Sequence, residues 1–281
     1  MKISIIHSVY LKNPLIPDAL VRNVVALTDS KIDFQYIVFN DNGDPSIETD
    51  IKDFINLLDI NSDLKKSLDN IEYIYSDFNY GYKMCSGGYV GALPYIKGDI
   101  IHNTNQDDIY SEKFYKTSAQ LFIDNPDIYF TTANGIKIDE KYNIGDVMIN
   151  PNYYMDCSKP LQLFKNWFGI EPPEYNVTQA CNGFLAPGTM YKKELTELIG
   201  QVDLETFRGA ADFEYWSRIL YNEYPGRYIQ MPTWYYRISK YSAGNEIVDG
   251  KPNRGYWQQL HIKAIKEKYT KLVQQNKEKF K

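Results

Sequence analysis

Cysteine is scarce in this chain. Its 281 residues include three, Cys85, Cys157 and Cys181. They form no metal-binding spacing and no disulfide framework, which points to a reducing compartment. Long hydrophobic runs are also missing. No stretch approaches the ~20 apolar residues that cross a bilayer. The opening Met1-Lys2-Ile3-Ser4-Ile5-Ile6, with Pro14 and Pro17 soon after, is too short for the apolar region of a secretory signal. These absences predict a cytoplasmic protein with no membrane span. An excess of positive charge is lacking as well. The formal net charge of −5 argues against nucleic acid as the main partner. That charge is uneven: His261 to Lys281 carries seven Lys against two Glu, a local balance of +5 that leaves −10 for the rest.

What is present suits a globular enzyme-sized domain. The hydrophobic fraction is 43%, compatible with one large α/β domain or a domain plus an appendage. The 25 tyrosines serve cores and ligand stacking equally well, and composition does not separate these uses. Ile3 to Val9 reads as a buried first strand. Apolar residues at Ile16, Leu20, Val24 and Leu27 predict a helix. Phe34 to Phe39 is a second strand, closed by the turn signal Asn40-Asp41-Asn42-Gly43-Asp44-Pro45. A helix at 51–58, a strand at 71–75, a helix at 86–95 and a strand near 100 continue the alternation. That order predicts a parallel, doubly wound sheet whose strand ends build a ligand crevice. The second half is less regular: helices at 115–122, 161–168, 191–199 and 213–221, a strand at 128–132, and an extended piece at 181–185. The segment 143–175, rich in Pro, Asn and aromatics, suits a lid or an acceptor-binding insertion.

One stretch carries the chemistry. Gly98-Asp99-Ile100-Ile101-His102-Asn103-Thr104-Asn105-Gln106-Asp107-Asp108 runs from an apolar strand into two adjacent carboxylates. Hard oxygen ligands at a strand end suit Mg²⁺ or Mn²⁺, an ion that keeps waters and grips substrate phosphates. The same residues also read as a surface turn, with Asp108 capping the next helix.

Four segments occur in order: Asn40-Asp41-Asn42-Gly43, Asn105-Gln106-Asp107-Asp108, Gly209-Ala210-Ala211-Asp212-Phe213-Glu214 and Trp234-Tyr235-Tyr236-Arg237. Over roughly residues 1 to 245 this order resembles the family 2 glycosyltransferases. The resemblance implies an α/β, GT-A-like fold: a Rossmann-like, mostly parallel sheet flanked by helices, with a C-terminal acceptor-side region and a terminal helix. It implies a nucleotide-sugar-binding half at 1–110, an acceptor-binding and catalytic half at 111–245, and a helical extension at 246–281. By the same resemblance, Ser8 and Tyr10 contact the nucleoside, and Asp41 accepts hydrogen bonds from uracil or ribose, although Asp-Asn-Gly is also a simple turn. Lys83, near Asn79-Tyr80-Gly81, is the base-contacting candidate. Asn105 takes the first position of "Asp-x-Asp-Asp", where it brings no charge. Asp107, with Asp108, falls on the metal ligands. Asp212 falls on the catalytic base, although an Asp there also suits a helix cap. Ala211 replaces the Glu that usually precedes it. Glu214 reads as a surface residue or a support to the site. Asn182 and Gly183 line the donor-sugar and acceptor pocket, and Arg237 holds phosphate. Ser239 stands where a His often follows, with Lys240 as a substitute phosphate contact.

The implied activity is transfer of a sugar, with inversion, from a nucleotide-diphosphate donor such as a UDP-sugar. The acceptor would be a hydroxyl of a glycan or of a lipid-linked molecule, with Mn²⁺ or Mg²⁺ on the diphosphate. One rival is a sugar nucleotidyltransferase, disfavoured because the turn Ser8-Val9-Tyr10-Leu11-Lys12-Asn13-Pro14 has no glycine. The other is a non-catalytic glycan-binding protein with a degenerate site, which Asn105 and Ala211 favour. The stripe Ile262, Ile265, Tyr269 and Leu272 on a lysine-rich helix has two readings: a helix docked on the domain, or peripheral contact with an anionic membrane.

Overall fold

In the computed structural model, residues 1–81, 87–147, 157–168, 170, 188–241 and 247–280 are described. The first half alternates as its periodicity predicts. Strand β1 (Ile3–Val9) leads into α1 (Ile16–Ser30), β2 (Phe34–Asn40), α2 (Ile47–Asn56), α3 (Ser62–Asp69) and β3 (Glu72–Tyr75). The short α4 (Gly88–Gly91) precedes β4 (Ile100–Thr104). Pro17 opens α1 and Lys31 closes it in the left-handed conformation. Ile16, Leu20, Val24 and Leu27 are at most 1% exposed. Apolar spacing thus marked the face that α1 buries, at about 1.5–3 kcal/mol per fully buried aliphatic side chain. Helix α3 was not anticipated: eight largely polar residues carry too little periodicity, although Asn61 caps it by accepting from the Leu64 amide at 2.9 Å.

The second half adds β5 (Ile109–Tyr110), α5 (Glu112–Asp124), β6 (Phe130–Ile138), β7 (Ile144–Val147), α6 (Pro160–Phe168), β8 (Thr189–Lys192), α7 (Leu195–Leu198), α8 (Leu204–Phe207), α9 (Ala211–Tyr221) and β9 (Gly226–Arg237). A small hairpin, β10 (Ile247–Val248) and β11 (Lys251–Pro252), precedes α10 (Gln258–Gln275). The main sheet runs β3-β2-β1-β4-β8-β6-β9-β5, with β7 beside β6. Strands β3, β2, β1 and β4 are parallel, as the alternation predicts. Beyond them β8 runs antiparallel between β4 and β6, while β6 and β9 are parallel. The helix predicted over 191–199 is thereby corrected. Tyr191 pairs with Ile101 on one side and Phe130 on the other, and only the turn Leu195–Leu198 is helical. A buried strand slot overrides the local apolar spacing. The extended reading of 181–185 lies outside the described residues, as do 148–156, 169 and 171–175 of the insertion at 143–175.

Apolar side chains pack on both faces of the sheet. Ile3, Ile5 and Val9 face α1 and α5, whereas Ile6 joins Phe130, Tyr191 and the helices α9 and α10. This is the period-two alternation of a strand covered on both sides. Trp216, Ile219 and Leu220 of α9 are core residues, as their spacing predicts. The stripe of α10 belongs to the same core: Ile262, Ile265 and Tyr269 are buried and Leu272 packs against them. The stripe is therefore docked on the domain, and its apolar side chains are covered by the protein's own core. Its lysines 263, 266 and 271 face outward. Among the described residues no helix is long and apolar enough to cross a membrane.

Glu214 fastens α10 in place and is not a surface residue. It is fully buried and accepts from Arg218 Nη2 at 2.7 Å, Lys268 Nζ at 2.7 Å and the Tyr269 hydroxyl at 3.1 Å. A buried carboxylate with its cations removed typically costs about 3–5 kcal/mol. Chemical denaturation should show a loss of this size in the Arg218→Met/Lys268→Met double variant. Adding Glu214→Leu should restore most of it, and a double variant as stable as the parent would show that Glu214 needs no counter-charge.

Candidate functional site

The acidic pair sits in the connection between β4 and β5, at the carboxyl ends of β1 and β4. Its backbone is fixed from β1. His7 is fully buried, with Nε2 3.0 Å from the Gln106 carbonyl and Nδ1 2.7 Å from the Tyr36 hydroxyl. A carbonyl only accepts, so Nε2 carries the proton and Nδ1 accepts from the tyrosine. Burial pulls the His7 pKa down to about 4, against a smaller upward pull from the Gln106 carbonyl. The imidazole is a neutral peg.

Asp107 and Asp108 differ in their surroundings. Asp107 is 6% exposed, and its Oδ2 accepts from Asn13 Nδ2 at 3.2 Å and Ser239 Oγ at 3.3 Å. Asp108 is completely buried. Its Oδ2 accepts from Asn105 Nδ2 at 2.7 Å, its Oδ1 from the Arg237 amide at 3.2 Å, and its carbonyl from Asn23 Nδ2 at 3.0 Å. Burial raises both carboxyl pKa values, and the Asp107 charge pushes Asp108 further. The capping role considered for Asp108 belongs to Ser111, whose Oγ accepts from the Phe114 amide at 3.2 Å.

Asp41, at the end of β2, is fully buried. Its two oxygens accept from the Tyr80 amide at 2.8 Å and the Gly81 amide at 2.7 Å, and its carbonyl accepts from Asn79 Nδ2 at 2.7 Å. Burial lifts its pKa to about 6 despite those amides. Asp41 therefore braces the Asn79-Tyr80-Gly81 turn. Ser8 is similarly engaged, accepting from the Gly88 amide at 3.1 Å. The glycines are there for clearance: a Cβ on Gly87 would lie 2.1 Å from Asp41 Cγ, and one on Gly88 would lie 2.0 Å from Ser8 Oγ. Tyr10, half-buried just past β1, accepts from the Asp44 amide through its carbonyl at 3.2 Å.

Arg237, the phosphate candidate, is held at one guanidinium nitrogen, while Nε and Nη1 have no hydrogen-bond partner among the described residues. It is 1% exposed, and Nη2 donates to Asp18 Oδ2 at 2.8 Å. Asp212 lies in the first turn of α9, partly buried, and Ala210 takes the cap position with no side-chain bond. Reading Asp212 as a simple cap is thus corrected. Its Oδ1 accepts from the Phe213 amide at 2.7 Å, and burial raises its pKa. Sequence reasoning missed Tyr89 of α4. Burial raises its hydroxyl pKa, and the negative charges of Asp212 and Asp108 add to the rise. Tyr89 thus stands within electrostatic reach of both acidic positions, and the only signal for it was its place in the Gly-rich run. Lys83, Asn182 and Gly183 lie outside the described residues.

Among the described residues no group of three or more His, Cys, Asp and Glu side chains gathers round one point. Asp107 offers a carboxylate beside the Ser239 hydroxyl, at a strand end and close to the surface. That sparse oxygen set fits Mg²⁺ or Mn²⁺, which complete their shells with waters and substrate phosphates.

No family model and no curated protein sequence matches this chain. Solved structures do. S. aureus TarS 1–349 in complex with UDP-GlcNAc is similar with a TM-score of 0.57 and 13% identity, over 94% of this chain and 65% of that one. The mannosyltransferase PcManGT from Pyrobaculum calidifontis, in complex with GDP-Man and Mn²⁺, follows at 0.54 and 14%, over 86% and 58%. TarS 1–349 with UDP gives 0.51 and 14%, over 85% and 61%. The fold is that of the GT-A-like glycosyltransferases. At such identities the likeness concerns the fold, and this chain spans 58% to 65% of the length of these three structures.

His7 and Asp41 give this GT-A-like domain opposed pH dependences. His7 falls from 6.5 to about 4 on folding. Its contribution, on the order of 3 kcal/mol, is present above pH 6.5 and lost as pH falls toward 4. Asp41 rises from 3.8 to about 6, so its charged form opposes folding as pH climbs through that window. Stability of the parent minus that of His7→Gln should therefore shrink between pH 6.5 and 4. The same difference for Asp41→Asn should grow as pH falls from 6 to 4. Denaturation curves whose differences stay flat across this range would contradict both assignments.

Proposed function

We propose that this protein is an inverting glycosyltransferase that uses a nucleotide-diphosphate sugar, in first place a UDP-sugar, and a hydroxyl of a glycan or lipid-linked acceptor. What supports the reading is the GT-A-like fold together with two acids on separate elements. Asp107 is a buried carboxylate in the loop after β4, and Asp212 is a partly buried one at the start of α9. Such a pair suits a reaction with a leaving group on one side and an attacking hydroxyl on the other.

In this reading Asp107 holds a divalent ion, with Ser239 beside it. When bound, such an ion stabilises the negative charge of a leaving diphosphate. Asp212 takes the proton of the acceptor hydroxyl. The hydroxyl oxygen forms a bond to the anomeric carbon while the bond from that carbon to the diphosphate oxygen breaks, and its electron pair leaves with the nucleotide. A base with a raised pKa holds that proton better near neutral pH, in keeping with the burial of Asp212. Tyr10 keeps the nucleoside-side role that the family resemblance gives it, and Ser8 and Asp41 shape the same rim through their bonds to backbone amides. Asp108 supports Asp107 from below, its oxygens being held by Asn105 and the Arg237 amide. Neighbours of the same fold bind UDP-GlcNAc, or GDP-Man with Mn²⁺, which favours transfer over a glycan-binding role.

Two variants test the reading. Asp107→Asn should abolish the Mn²⁺-dependent rise in melting temperature caused by UDP, a shift that arises by mass action. Asp212→Asn should keep that rise but lower sugar transfer by ~10²-fold or more. Transfer at the parent rate in Asp212→Asn would remove the base, and release of pyrophosphate instead of UDP would point to a nucleotidyltransferase.

A further inference from the structure

Tyr142 is an unlikely residue for its position. It lies in the turn between β6 and β7 with φ of +65°, a left-handed conformation that suits Gly or Asn and strains a tyrosine. Bulky residues persist in such conformations when the surrounding structure fixes them for a purpose. Here the surroundings are specific. The Tyr142 ring lies 4.7 Å from the Arg22 guanidinium and 4.9 Å from that of Arg237. Its hydroxyl donates to Asp18 Oδ2 and accepts from Arg22 Nε and Arg237 Nη2, both at 3.2 Å. The same turn makes a second grip: Glu140 Oε1 accepts from the Lys240 amide at 3.1 Å. The turn thus holds both ends of the strap 237–240 that follows β9. That strap in turn touches both acids, through the Arg237 amide on Asp108 and the Ser239 hydroxyl on Asp107.

We infer that Tyr142 is a positioning residue for the acidic loop. It acts from outside the crevice, at 41% exposure, by setting Arg237 and the strap that holds Asp107 and Asp108. The inference rests on reading Asp107 as the metal-binding acid, but the mechanical link does not. The route is a continuous chain of contacts from α1 and the β6–β7 turn to β9 and the β4–β5 loop. It places control of the donor side on a surface residue that no motif marks.

Tyr142→Gly separates this role from plain stabilisation. Glycine relieves the left-handed backbone and removes the ring, so the melting temperature should stay within a few degrees of the parent. Amide hydrogen exchange on the ligand-free protein should nonetheless speed up at least ~10-fold at Arg237, whose N–H is held by Asp108. The apparent Kd for UDP in the presence of Mn²⁺, by calorimetry, should weaken about 10-fold. Tyr142→Phe keeps the ring between the guanidiniums and should show a smaller change of the same kind. Unchanged exchange at Arg237 in Tyr142→Gly overturns the inference whatever the ligand does, and so does faster exchange with parent-like UDP–Mn²⁺ affinity. If the parent itself binds no UDP with Mn²⁺, the proposed function fails instead, and the exchange result still decides the link.

Discussion

The acidic loop after β4 must keep two carboxylates side by side in a nearly dry place, and much of the surrounding structure answers that constraint. Asp108 has no access to water, and its neighbour's charge adds to the penalty of ionising it. Burial without partners would be severe, so two donors reach the carboxylate, Asn105 from the loop itself and the Arg237 amide from β9, while Asn23 of α1 holds the backbone carbonyl. The Arg237 guanidinium adds positive charge that favours the ionised form of both acids. Asp18 and Tyr142 hold Nη2 of that guanidinium from the far side, while its Nε and Nη1 are buried without a hydrogen-bond partner among the described residues. Arg237 is accordingly a counter-ion in the foundation of the site, buried with one guanidinium nitrogen fastened.

The change of strand direction is the second constraint. Four parallel strands bring the ends of β1, β2 and β4 to one rim, where His7 pegs the loop and Asp41 braces the turn before α4. An all-parallel continuation would keep every new strand end on that rim. Instead β8 inserts antiparallel beside β4, and the chain then reaches α9, whose first turn carries Asp212. The two acids therefore come from different halves of the chain, on separate elements. Glu214, two residues after Asp212, anchors α9 to α10. The lysine-rich terminal helix thus supports the element that carries the proposed base.

Much of this was legible in the sequence, and what was not has physical reasons. The elements of the first half could be read because Ile16, Leu20, Val24 and Leu27 are all on one buried face, and because Asn40-Asp41-Asn42-Gly43 ends a strand as a turn signal should. Tyr191 misled because an apolar residue at helical spacing carries no record of the two strands that flank it. The acid motifs marked segments at strand and helix ends but not the partners of individual side chains. Asp41, Asp108 and Arg237 all proved to be held by groups far away in sequence, Arg237 by Asp18 across 219 positions. Polar residues are read as ligand contacts in a motif; only the fold shows which of them have already found partners.

The two departures from the family pattern fit this picture. An Asp at 105 would stand against Asp108, where Asn105 now donates its amide at 2.7 Å. It would exchange that bond for a third carboxylate in a loop already strained by two, and like charges this close raise one another's pKa. Asn105 is therefore matched to a fully buried Asp108, and the substitution is a change of partners within the loop. Ala211 follows the same logic. It is 1% exposed within the core that joins α9 to the sheet and α10. A Glu there would need a buried cation, and Arg218 of α9 and Lys268 of α10 are bound to Glu214. With Asp212 in the first turn of α9 and Glu214 in the core, position 211 is left to packing. Both departures thus remove a charge that this version of the fold could not pair, and neither removes a group that the proposed chemistry requires.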